Sequence, residues 1–316
     1  MPICNVSDPV LISRRALLAG MAALPFCPAV AAETGTPWVR EIAPGVFVHQ
    51  GPYEEASPAN GGAIANSGFI IGGQGVAVVD SGGSLAEGQA MLAAIRQITD
   101  RPVAYVVNSH FHPDHIFGNS VFKGAQIVGH HNIAAALQAR GGYYLQRARQ
   151  TLGPAAEGLV ITPPDLLVER ELTLDLGRRK LILQAWPTAH TDSDLTLRDQ
   201  ASDSWFLGDL LFMQRAPTID GNLRGWIAVL EKLRQSRAAR VIPGHGPASA
   251  AWPRASDGLL RYLNGLVRAV RRAQRDGLSL EEAIDRVGKD LKGDWVLFDS
   301  VHPRNVAVAY AELEWE

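Results

Sequence analysis

Apolar and polar positions change rhythm along this chain. In the first third the apolar runs are short, covering 38–42, 46–49, 68–71, 76–79 and 103–107. Runs of four or five residues rich in Val, Ile and Phe, bounded by Gly, Asp or Asn, predict strands. Gly72-Gly73-Gln74-Gly75 predicts a hairpin turn. Residues 85–98 space their apolar positions for one face of a helix. The second half repeats the strand grammar at 166–168, 172–174, 181–185, 195–197, 205–207 and 241–242, with a helix at 226–233. From about 255 the period is helical, over 259–276, 280–287 and 304–313. This order predicts an α+β fold of stacked sheets with helices outside, followed by a C-terminal helical extension.

The first 31 residues do not follow either rhythm. Ser13-Arg14-Arg15 precedes a short apolar run at 16–24, and Ala29-Val30-Ala31 offers the small residues a signal peptidase accepts. That is a cleavable secretory leader, with paired arginines of the twin-arginine kind; an ordinary Sec leader is the alternative. The expected organisation is therefore a leader at 1–31, a main domain at 32–252 and the extension at 253–316, in a periplasmic protein. Both cysteines, Cys4 and Cys27, lie in the leader. Cleavage removes every thiol, so any metal must be held by histidine and carboxylate. The 316 residues are 47% hydrophobic with a formal net charge of -2, which points to a globular protein with no nucleic-acid or anionic-membrane partner. No span crosses a membrane in the expected mature chain, and the partner is a small-molecule substrate.

Three of the nine histidines fall within six residues, His110-Phe111-His112-Pro113-Asp114-His115, directly after a strand of buried type. Two imidazoles two residues apart project the same way from extended backbone, and the proline turns Asp114 and His115 toward a second position. His190, Asp209 and His245 each follow an apolar run and stand where strands give way to loops. Rigid strand ends are where a preorganised site is built. Glycines beside Asp209 and His245 let backbone come close to it. Asp80 ends a strand, either capping the turn or bonding a ligand. His130-His131 reads as the opening of a helix, with a structural role. The carboxylates in Thr191-Asp192-Ser193-Asp194 read as turn caps, the alternative being that they line the pocket and favour a cationic or polar substrate. Tyr143 and Tyr144 stand either at the cavity entrance or in helix packing, and 52–64 and 141–165 read as loops around it.

His-x-His-x-Asp-His, then a lone His, a Gly-Asp and a Gly-His-Gly, resembles the metallo-β-lactamase superfamily over roughly residues 38–250 and is similar to its glyoxalase II-like and lactonase-like branches. The resemblance implies an αβ/βα sandwich of two central mixed β-sheets flanked by helices. It implies one metal on His110, His112 and His190, a second on Asp114, His115 and His245, and Asp209 as the bridge. Asp114 is the implied catalytic residue, orienting water and passing its proton, and Asp80 bonds a ligand from behind. The ligand types suit two Zn2+, with iron or manganese as alternatives. Two cations flanking one water lower its pKa to about 7 or below, giving a hydroxide that attacks an acyl carbon.

Three further stretches, 185–192, 208–212 and 310–316, make the chain similar to exported quinoprotein relay system zinc metallohydrolases. That likeness implies association with a periplasmic quinoprotein dehydrogenase and names no substrate. It also implies a tail closing over the site, with His302, Arg304 and Asn305 at the start of the last helix. The resulting expectation is a dizinc hydrolase of a thioester, lactone or other acyl compound. The alternatives are a β-lactamase, disfavoured because the commonest zinc class carries cysteine where Asp209 stands, and a non-hydrolytic metal-binding accessory or iron redox protein.

Overall fold

Strand alternation sets the layers. In a computed structural model describing residues 38–314, the first sheet runs in sequence order: β1 (Arg40–Ala43), β2 (Val46–His49), β3 (Ser67–Ile71), β4 (Val76–Val79), β5 (Val103–Val107), β6 (Gln126–His130) and β7 (Leu166–Val168). The expected leader, with Cys4 and Cys27, lies outside the described residues. Pairing is antiparallel from β1 to β4 and parallel from β4 to β7. The second sheet holds β8 (Glu171–Asp175), β9 (Lys180–Ala185), β10 (Leu195–Asp199), β11 (Ser204–Phe212) and β12 (Arg240–His245), ordered β12-β11-β10-β9-β8. Its strands are antiparallel except β12, which runs parallel to β11.

Successive side chains take opposite faces of a strand. Val46, Val48, Ile70, Ala77, Val79 and Val107 of the first sheet thus meet Leu181, Leu183, Leu195, Leu197, Phe206 and Ile242 of the second in one buried cluster. Their neighbours Phe69, Val76, Val78 and Val106 face the other way, onto Met91 and Ile95 of α1 (Leu85–Ile98). Each such side chain contributes roughly 1.5–3 kcal/mol by leaving water. On the far side of the second sheet, Trp205 and Leu207 pack against α4 (Leu223–Leu233). The expected extension, α5 (Asp257–Arg275), α6 (Leu280–Arg286) and α7 (Phe298–Leu313), closes the same apolar cluster through Leu259, Leu263, Phe298 and Val306. No helix of the described residues is long and apolar enough to cross a membrane.

The predicted sandwich is therefore present, with four differences in detail. β11 continues to Phe212 rather than stopping at 207, because Leu210, Leu211 and Phe212 are all buried beyond the polar Gly208-Asp209 step. β6 and the 20-residue α3 (Ile133–Leu152) occupy a stretch read partly as loop. His130 ends β6 and does not open a helix. Gly141-Gly142 interrupts the apolar pattern of α3 but not the helix; a Cβ at Gly141 would stand 3.1 Å from Ile161, so the small residue admits close packing. α7 starts six residues before the expected 304 and holds Pro303 inside it.

Candidate metal centre

The His110–His115 loop leaves β5 and re-enters a short helix, α2 (Pro113–Ile116), with Pro113 at its first position. Proline suits that position, where its missing N–H goes unused. The loop is tied to both sheets: Asn108 donates its backbone N–H to Val128 at 2.8 Å, and Leu195 of β10 donates to the carbonyl of Ser109 at 2.7 Å. His190 lies in the turn between β9 and β10, Asp209 inside β11, and His245 at the end of β12. Asp209 is thus a mid-strand residue and does not sit at the junction expected from sequence. Gly208 adopts φ +52° there, and a Cβ on it would meet Ser109 at 2.6 Å. On the neighbouring strand a Cβ at Gly244 would stand 1.9 Å from Asp209 Oδ1. Only glycine lets the two strands present Asp209 and His245 side by side.

All seven predicted ligands converge in two groups. His110, His112, His190 and Asp209 form one, and Asp114, His115 and His245 the other, with potential donor atoms within 4.8 Å of one another in each. His112 Nδ1 lies 2.9 Å from His110 Nε2 and 3.1 Å from His190 Nε2. His245 Nε2 stands 3.2 Å from Asp114 Oδ2. Asp209 reaches both groups: Oδ2 is 3.4 Å from His190 Nε2 and 3.5 Å from His245 Nε2, and Oδ1 is 3.3 Å from His115 Nε2.

All five imidazoles are fixed from behind by protein oxygens. His190 Nδ1 donates to the Thr218 carbonyl at 2.8 Å, and His245 Nδ1 lies 3.0 Å from that of Ile64. His112 Nε2 lies 2.9 Å from Asp220 Oδ2, and His115 Nδ1 lies 2.8 Å from Asp80 Oδ2. His110 Nδ1 lies 3.0 Å from Ser109 Oγ, which itself donates to Asp80. Such outer bonds fix the tautomer and aim the other nitrogen inward. Asp80 both bonds a proposed ligand and orders the turn, accepting Ser109 N at 2.7 Å from a backbone held at φ +56°.

Electrostatics call for a cation here. Burial disfavours charge on His115, yet Asp209, Asp80 and Asp114 outweigh it and hold the imidazole well above its usual range. Burial also opposes ionisation of Asp209 and Asp114, but His245 and His115 keep both carboxylates well below theirs. Burial, with neighbouring imidazoles adding to it and Asp209 opposing, brings His190 down to about 3 and His110 well down, leaving both neutral. Among buried polar atoms without a partner are His115 Nε2 and Asp209 Oδ1, which face each other across the centre. Two buried polar atoms without a hydrogen-bond partner, neutral imidazoles at His110 and His190, and ionised carboxylates fit divalent cations of borderline character.

Other predicted residues fall into place or do not. His302 is buried in the helical extension, with Nε2 donating to Val287 O at 2.9 Å and Nδ1 3.0 Å from the Tyr262 hydroxyl; it touches no proposed ligand. The early start of α7 puts His302 on its inner face, while Arg304 turns to the cavity and meets Asp220 at 3.0 Å. Asn305 fastens the ligand-supporting loop, accepting Ile219 N at 3.0 Å and donating to Pro217 O at 2.6 Å. Asp194 caps its turn through Thr191 N and Oγ1. His130 is structural, bonding the Trp186 carbonyl. Tyr144 lines the cavity and Tyr143 stands largely exposed at its rim. Asp220, Arg140 and Arg215 were not foreseen. Asp220-Gly221 reads as an ordinary turn, and no local spacing marks either arginine.

A sequence pattern for the metallo-beta-lactamase superfamily matches residues 60–245, more than half of the chain. The chain belongs to that superfamily. A linear primary-alkylsulfatase of Pseudomonas sp. (strain ATCC 19151) is 26% identical over 261 residues, 68% of this chain and 48% of that protein. The chain thus spans about half the length of this curated relative. Among solved structures, the inverting sec-alkylsulfatase Pisa1 from Pseudomonas sp. superposes with a TM-score of 0.67 at 17% identity, covering 86% of this chain and 49% of the other. A metallo-beta-lactamase from Pontibacter korlensis gives 0.58 at 19% identity, covering 72% and 98%. At these identities the structural likeness establishes the fold.

Proposed function

We propose that the chain is a hydrolase working with two divalent cations, zinc by donor type. His110, His112 and His190 would hold the first and Asp114, His115 and His245 the second, with Asp209 able to serve both. The observation that carries this reading is the convergence of seven side chains around two orphaned buried atoms, His115 Nε2 and Asp209 Oδ1. Bound there, such a pair supplies Lewis acidity and an ionised water at neutral pH. Asp114 is the more open of the two groups' carboxylates, both of which line the cavity, 20% exposed against 4% for Asp209. Its role is to orient the attacking water and hold its proton for the leaving group. Ile64, Tyr144 and Phe212 wall the cavity of about 470 Å³ and keep bulk water from the bond being cleaved. Burial pushes the Tyr144 hydroxyl up to about 12, so it serves as a neutral donor.

The substrate class is an ester-type compound, namely a thioester, lactone, other acyl ester or, as the alkylsulfatase relatives favour, a sulfate ester. In the same reading the chain acts in the periplasm after export, as the Arg14-Arg15 leader supports, in association with a quinoprotein dehydrogenase, as the sequence likeness implies. Zinc-loaded protein assayed on a thioester, a lactone, an aryl ester, an alkyl sulfate and nitrocefin tests the reaction. Turnover of one ester class is expected, stopped by chelator and lowered by about 100-fold or more in Asp114→Asn. Two retained metals with no turnover of any of them would contradict it. Turnover of nitrocefin alone would favour the β-lactamase reading instead.

A further inference from the structure

Three guanidinium groups border the cavity above the proposed ligands, and they are not alike. Arg140 from α3 and Arg304 from α7 stand at the mouth, 42% and 58% exposed, and share one counter-charge, Asp220, at 2.7 and 3.0 Å. Arg215 lies within, only 9% exposed, and forms no ion pair with a carboxylate among the described residues. Among the described residues its guanidinium has hydrogen-bond contact with the His245 ring alone, with Nη1 2.7 Å from Nδ1 and 3.2 Å from Nε2. That ring has little to offer it. Nδ1 also faces the Ile64 carbonyl at 3.0 Å, and a nitrogen donating there cannot accept from a guanidinium. Nε2 belongs to the proposed metal position. Once the ligand set is filled, a buried cation has no protein acceptor, an arrangement folded chains avoid unless something else supplies one.

The backbone holding Arg215 is firm. Arg215 N donates to Met213 O at 2.7 Å, Ala216 N to Val296 O at 2.9 Å, and Val296 N to Gln214 O at 2.7 Å. A segment of the helical extension therefore pins the arginine six residues beyond Asp209. The charges around the centre agree. Four carboxylates touch the imidazoles of the centre, namely Asp80, Asp114, Asp209 and Asp220, and two divalent cations held there would balance them. The three guanidiniums are then surplus positive charge directed into one cavity.

From this we infer that Arg215 anchors an oxyanion of the substrate, a carboxylate or sulfate, beside the metal positions, with Arg140 and Arg304 drawing it through the mouth. The inference rests on the hydrolase reading and narrows its substrate to anionic esters. A planar two-nitrogen fork matches two oxygens of either group.

The test is calorimetric binding to the zinc-loaded full chain of two anions it cannot hydrolyse, 1-octanesulfonate and octanoate. Arg215→Met is expected to weaken the preferred anion by about 30-fold or more with both metals retained. Arg215→Lys, which keeps the charge, is expected to stay within about tenfold of the parent. Arg304→Gln is expected to lose about threefold, an effect that fades at high salt. In turnover, KM for an anionic ester relative to an isosteric neutral ester should rise in Arg215→Met by the same factor as the binding loss. Preference for octanesulfonate assigns a sulfate ester, and preference for octanoate a carboxylate. Unchanged binding in Arg215→Met would show that the metals alone hold the anion, and loss of a metal equivalent in Arg215→Lys would make the residue a support for His245; either overturns the inference. Hydrolysis of neutral esters without anion binding would spare the hydrolase reading and remove this one, whereas anion binding through Arg215 without turnover would do the reverse.

Discussion

Asp80 and Asp220 place a carboxylate on the outer nitrogen of an imidazole, one at His115 and one at His112, at 2.8 and 2.9 Å. Their surroundings differ. Asp80 is buried at the end of β4 and also accepts two bonds from Ser109, so strand, loop and ring form one rigid unit. Asp220 sits in a loop at the rim, 15% exposed, and its other partners are the exposed Arg140 and Arg304. The loop is held on one side by Asn305 of the helical extension and on the other by the β9–β10 turn, where Asp220 N donates to His190 O at 3.1 Å. The comparison teaches that one half of the centre is built by the sandwich, and the other is tuned by elements added around it.

The largest expected difference is at Asp80. Asp80→Ala leaves His115 Nδ1 and Ser109 N without acceptors, and should weaken metal binding by about 10–100-fold and destabilise the chain by about 2–4 kcal/mol. Metal titration and denaturant melts read these two effects. Asp220→Ala should cost less, about 3–10-fold in metal affinity, with little loss of stability. Salt sharpens the contrast: raising ionic strength should shrink the Asp220 effect and leave that of Asp80 unchanged, since buried pairs are screened far less. Equal effects from both variants, with equal salt response, would erase the distinction.

The smallest effect lies behind the sandwich half. Glu87 accepts Gly83 N at 2.7 Å, and burial pushes its carboxyl up from 4.5 to about 8, with Asp114 adding to the shift. A carboxyl with a raised folded-state pKa contributes stability that is full below pH 4.5 and lost as pH climbs toward about 8. Glu87→Gln should therefore match the parent near pH 4.5 and become more stable by about 1–2 kcal/mol by pH 8. Melting curves across that range check it, and a gap that does not grow with pH would contradict it.

The sandwich half was also the legible half. His110, His112 and His115 cluster in the sequence because one loop at a strand end carries them, and His190, Asp209 and His245 follow apolar runs that the alternation exposes. Even there Asp209 was placed at a strand end, because a polar Gly-Asp step looks like a break when the next three residues are read without their packing. The rim half has no comparable signature. Asp220 is 108 residues from His112 and 80 from Arg140, and each looks alone like a solvated charge. His302 was read as facing the site, whereas the register of α7 directs Arg304 there and His302 into the extension. Helix register cannot be read where a proline obscures the start.

The most direct test counts metal. Wild-type chain, folded and dialysed free of excess ion, should retain two equivalents of zinc, and Asp209→Ala no more than one. A folded wild-type chain that saturates at one equivalent or none, or an Asp209→Ala variant that holds two at unchanged affinity, would contradict a bridged pair at this centre.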